Sequence, residues 1–172
     1  DRPRADGPGL MRAALLLLLL ATPAVAQQDL PFDPAPILAC LEGDGEDEDC
    51  VGLGATACME AEGGSSTVGM GLCIGAEREW WDARLNDRYA QVLARAKSAD
   101  ADLTAMGSPV ARQEPALRDM QRAWIKYRDA ACNYEASRWG GGTGAGPAGG
   151  QCALDLTARQ AIHLDGFLQE GR

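Results

Sequence analysis

The sequence predicts an all-α fold, a small disulfide-linked bundle of three main helices with short N-terminal helices before them. Three observations carry that expectation. Apolar residues recur at helical spacing in three long segments, and strand-type alternation is nowhere convincing. Gly- and Pro-rich stretches punctuate the segments. Six cysteines, Cys40, Cys50, Cys58, Cys73, Cys132 and Cys152, are available to cross-link them.

The chain begins with "DRPRADGPGL" (1–10), which carries no signal and reads as an upstream translated segment. From Met11, "MRAALLLLLLATPAVAQQ" has the single Arg, apolar run and Ala-Val-Ala end of a secretory signal peptide. Cleavage is expected after Ala26. The apolar run is too short for a membrane anchor, and no cysteine stands at the cleavage point to take a lipid. The expected product is exported, periplasmic or secreted, and monomeric. Its six cysteines fit an oxidising compartment.

Residues 27–54 form an N-terminal extension: a Pro-rich start, a short helix over 35–41 and the acidic run "EGDGEDED" at 42–49. Residues 55–172 form the helical domain. "VGLGATACMEAE" predicts a second short helix ending at Gly63-Gly64, after which Ser66 or Thr67 caps a long helix to about Ala99. There Glu77, Trp81, Leu85, Tyr89 and Leu93 recur every fourth position. "GSP" at 107–109 marks a turn, and the next helix runs from near Arg112–Pro115 to about Trp139. "GGGTGAGPAGGQ" (140–151) reads as a flexible loop, followed by a last helix over 152–170. The cysteines are expected to pair in sequence order, 40–50, 58–73 and 132–152, because each pair brackets a Gly-rich or acidic connection.

The composition narrows function. Formal charge is −9. Removing residues 1–26 takes away three basic and two acidic side chains, which leaves −10. Such acidity excludes nucleic acid, whose phosphates need a basic surface, and favours a cationic protein partner or simple solubility. Without a C-x-x-C and with a single histidine, His163, a zinc or thioredoxin-like centre has no basis. Gly144, Gly146 and Gly149 make a formal G-x-G-x-x-G, but it follows a helix, and Pro147 removes a backbone N–H that a phosphate cradle uses. The acidic run lacks the order of an EF-hand loop. No cofactor or metal is expected, and no enzyme is expected, because His163 has no evident catalytic company. The acidic run instead offers Asp44, Glu46, Asp47, Glu48 and Asp49 to a basic partner.

One stripe needs an explanation. In "QRAWIKYRDAAC", Gln121, Trp124, Arg128 and Cys132 fall on one side of a helix. Trp81, Leu85 and Tyr89 form a core stripe on the preceding long helix, against which Trp124 could pack. Asp82 is the expected mate of Arg128, since a charge at a helix seam is tolerable only when paired.

"WDARLNDRY" (81–89), "QRAWIKYRDAAC" (121–132), the Gly-rich stretch, Cys152 and the upstream "CMEAEGGSSTVGMGLC" together resemble the LprI-like N-terminal domain family. The resemblance covers about residues 55–165. It implies a small exported helical domain, and the family takes its name from a member that inhibits lysozyme. Carried over by position, it marks Trp81, Asp82, Leu85, Asn86 and Tyr89, then Gln121, Arg122, Trp124, Tyr127, Arg128, Asp129 and Cys132, mostly as architecture. In the last helix Thr157 and Leu164 fit the family pattern, but Gln160 stands where it has Arg. Cys40 and Cys50 with their acidic loop are additions. Two readings follow: an exported protein-binding module with lysozyme as a candidate target, or a structural or accessory periplasmic protein without inhibitory activity.

Overall fold

The computed structural model describes residues 30–170; the expected signal peptide, its cleavage point and the upstream segment lie outside them. Among the described residues there are five α-helices and no strand. They are α1 (Ala35–Leu41), α2 (Leu53–Met59), α3 (Thr67–Ala105), α4 (Gln113–Ser137) and α5 (Ala145–Gln169), with a short 3₁₀ turn at Asp47–Cys50. No helix among these residues is long and apolar enough to cross a membrane.

The three long helices make an up-down-up bundle. Cys132 bonds Cys152 and Gln121 lies by Gln160, so α4 and α5 are antiparallel. Arg84 pairs with Asp165 and Arg95 reaches the carbonyls of Phe167 and Leu168, so α3 and α5 run the same way. The core between them is built from Ile74, Trp81, Leu85, Ala96, Leu154, Ala158, Ala161 and Leu164, all at most 4 % exposed. Ile37 and Ala55 extend it beneath the short helices.

The cysteines pair in sequence order, Cys40–Cys50, Cys58–Cys73 and Cys132–Cys152. The first closes the acidic segment, the second ties α2 to α3, and the third ties α4 to α5.

Helix ends differ from the sequence expectation in instructive ways. Ser66 caps α3, its Oγ accepting from Gly69 N at 3.0 Å. That helix continues to Ala105 rather than about Ala99, and α2 is shorter than the pattern suggested. The larger correction is the stretch 140–151. It is not one long loop, because α5 begins at Ala145. Pro147 sits in the first helical turn, where the missing N–H has no intrahelical partner to lose. Gly149 and Gly150 then allow close packing: a Cβ on the first would lie 3.2 Å from that of Ala136, and one on the second 3.4 Å from Ile74. Composition that reads as loop is here a tightly packed helix start.

Candidate functional site

The acidic segment is exposed but firmly held at its base. Cys50 is buried and bonded to Cys40, and the backbone closes on itself through Asp49 N to Glu46 O and Val51 N to Glu48 O. Asp44, Glu46, Glu48 and Asp49 are exposed, and Asp47 is half-buried. Asp47, Glu48 and Asp49 occupy the first turn of the 3₁₀ helix, where negative charge meets unpaired N–H groups. Among the described residues, none of these carboxylates forms an ion pair. Their field is therefore directed outward.

Just beyond Cys50 the chain is fixed again by Glu77. This side chain is fully buried, and its two oxygens accept three N–H groups. Oε1 accepts from Gly52 N at 2.6 Å and Trp81 Nε1 at 3.0 Å, and Oε2 accepts from Ala55 N at 2.6 Å. Gly52, at φ +92°, precedes α2 and has no side chain to cap it. Glu77 does so from α3, twenty-five residues away. The approach is close enough that a Cβ on Gly54 would lie 2.8 Å from the Phe32 ring and 3.3 Å from Glu77 Oε2. A loop held by a disulfide and by a buried carboxylate loses little conformational freedom when it meets a partner.

Among the marked helix residues, Trp81 and Leu85 are buried and Tyr89 and Trp124 pack on the core half-buried. Asn86, Arg122, Tyr127 and Asp129 are exposed. The expected Asp82–Arg128 pair is not formed. Asp82 accepts instead from Asn86 at 2.9 Å on its own helix. Arg128 pairs with the adjacent Asp129 at 2.9 Å and lies 5.0 Å over the Trp124 ring. The expectation failed because α4 lies chiefly against α5, so the polar end of its stripe meets that helix: Gln160 Nε2 donates to Gln121 Oε1 at 3.0 Å.

The paired charge at the α3–α5 seam is half-buried and lies elsewhere, on residues that the sequence did not single out. Asp165 takes Arg84 Nη2 at 2.8 Å and Arg88 Nε at 2.7 Å, with its own side chain only 14 % exposed. Two arginines spaced i, i+4 on a largely apolar helix face were the available signal. Glu77, fourth-spaced before Trp81 and Leu85, was the corresponding signal for the α2 anchor.

Among the described residues, no group of three His, Cys, Asp or Glu side chains is placed to hold a metal ion. His163 is exposed on α5 with its ring edge-on to Phe167, 4.6 Å between centroids.

Residues 58–164 match the family described as lysozyme inhibitor LprI. The chain is 30% identical over 154 residues to an uncharacterized 17.7 kDa protein in the puhA 5′ region of Rhodobacter capsulatus, an alignment covering 87% of this chain and 92% of that one. It is 28% identical over 104 residues to an uncharacterized protein of Rhizobium meliloti, covering 60% of this chain and 75% of the relative. No solved structure matches at a significant level. With more than half of its length matched, the chain belongs to the LprI lysozyme inhibitor family.

Proposed function

We propose that the protein is an exported binding module that engages a basic protein, with lysozyme as the specific candidate. The observation that carries this reading is the family match over residues 58–164, most of the helical domain. Three disulfides and the signal-peptide pattern at 11–26 support an extracytoplasmic location. Asp44, Glu46, Asp47, Glu48 and Asp49 are the contact set: negative charge on a held loop, able to attract a cationic surface and to enter a cleft.

The test is lysis of bacterial cell walls by lysozyme of the animal type, titrated with the oxidised protein at low and at physiological salt. A reduced and alkylated sample serves as control. Stoichiometric inhibition by the oxidised form, persisting at physiological salt, is the expected result. Inhibition that vanishes with salt would reduce the interaction to charge attraction. No inhibition at either salt would leave the structural or accessory reading, and the partner would be sought elsewhere in the envelope.

A further inference from the structure

A second surface differs in chemistry from the acidic loop. An open groove of about 710 Å³ lies between the C-terminal half of α4 and the N-terminal half of α5. Its walls carry three large aromatic rings that the fold leaves in solvent: Tyr127 at 62 %, Tyr134 at 66 % and Trp139 at 55 % exposure. Tyr127 and Tyr134 are seven residues apart on one helix, so their Cα atoms are separated by about 10 Å along the axis, roughly the length of two pyranose rings in an extended chain.

Trp139 is seated rather than merely exposed. It follows the last turn of α4, with its N–H bonded to the carbonyl of Ala136. Its ring atoms Cε3, Cζ3 and Cη2 lie so close to Gly144 that any Cβ there would overlap them. Gly144 has φ −72°, which any residue adopts, so the glycine is required for the space it leaves to the ring.

The polar lining is balanced. Glu135 and Arg138 line it from the α4 side, and Asp155 and Arg159 from α5. Glu135 is paired with Arg138 at 2.8 Å, and Asp155 accepts from Gln151 at 2.8 Å. In a chain of net charge −9, this locally neutral patch has no electrostatic reason to collect a cationic protein. It does offer aromatic faces, whose negative quadrupole attracts the C–H groups of a sugar ring, beside planar amide, carboxylate and guanidinium groups that bond hydroxyls.

We infer that the Tyr127–Tyr134–Trp139 groove is a binding site for an uncharged oligosaccharide. It shares no lining residue with the acidic loop and does not depend on the lysozyme reading. The oxidised protein is titrated with cellotetraose and with N-acetylchitotetraose by calorimetry, at low and physiological salt. At least one sugar should bind saturably, and salt should leave the affinity unchanged because the ligand carries no charge. W139A and Y134A should each weaken binding by about tenfold, the loss of one stacking ring. G144A, which removes no ring but displaces that of Trp139, should weaken it too, with the far-UV circular dichroism of each variant checked against the parent.

A variant neutralised at 44–49 should bind sugar as the parent does. Failure to saturate with either sugar, or binding indifferent to W139A and Y134A, overturns the inference. Loss of lysozyme inhibition in W139A without any sugar binding would make the groove a protein interface and overturn it equally. Sugar binding without lysozyme inhibition would overturn the proposed function alone.

Discussion

At the scale of single residues, Glu77 is the most consequential polar side chain in the fold. It is fully buried and accepts from two backbone N–H groups and one indole N–H. E77Q keeps the shape but turns one oxygen into an N–H₂, which must face one of those donors. Two buried donors then oppose each other, and the expected loss is about 2 kcal/mol of unfolding free energy. E77A strands all three donors and should lose more. Urea unfolding measures both, and an E77Q midpoint equal to the parent's would remove Glu77 as the anchor of α2. This residue was half legible in the sequence. A glutamate at a core position of an apolar stripe is an anomaly, but its partners, Gly52 and Ala55, lie 25 and 22 residues away and have no side chain that announces them.

At the scale of elements, α3 acts as a spine that finishes its neighbours. Glu77 caps the start of α2, and Asp100 caps the start of α4 by accepting from Gln113 N and Glu114 N at 2.8 and 2.9 Å. Arg95 donates to the carbonyl of Leu168 at the end of α5 at 2.8 Å. Each charge has the sign its helix end favours. None of this could be read locally, because Arg112 before α4 and Gly52 before α2 provide no side-chain cap of their own. Helix existence and order were legible, since periodicity is local; the start of α5 was not. Gly146, Pro147, Gly149 and Gly150 carry loop propensities, and only packing against α3 and α4 makes them helical. That correction is testable at Ala148, which lies in the first turns of α5 and whose N–H donates to the carbonyl of Gly144 at 3.0 Å. A148G should lower unfolding free energy by about 1 kcal/mol if α5 begins at Ala145, because glycine gives up more chain entropy there. An unchanged thermal midpoint would return the stretch to loop.

At the scale of the whole molecule, charge is arranged in two ways. Within the bundle most charges are answered nearby: Arg84 and Arg88 by Asp165, Arg118 by Glu114, Arg122 by Asp119, Arg128 by Asp129. Such pairs have little field at a distance. The carboxylates at 44–49 are answered by no basic side chain among the described residues, so they form a concentrated source of long-range field. The sequence made the charge of this segment plain. Its cysteines already predicted the Cys40–Cys50 bond, but not that Glu77 holds the chain just beyond Cys50 as well, which turns a charged run into a held surface. The combined variant D44N, E46Q, D47N, E48Q, D49N removes five negative charges from a chain of formal charge −9 without changing side-chain shape. If this loop steers the encounter with lysozyme, the variant should associate more slowly at low salt, and its rate should lose most of its dependence on ionic strength. The two rates should converge near physiological salt, where screening acts over about 8 Å. Dissociation should change less than association, since steering acts before contact. Stopped-flow association across a salt series separates these effects. An association rate that kept the parent's salt slope would place the attracting charge elsewhere on the molecule and remove the loop from the mechanism.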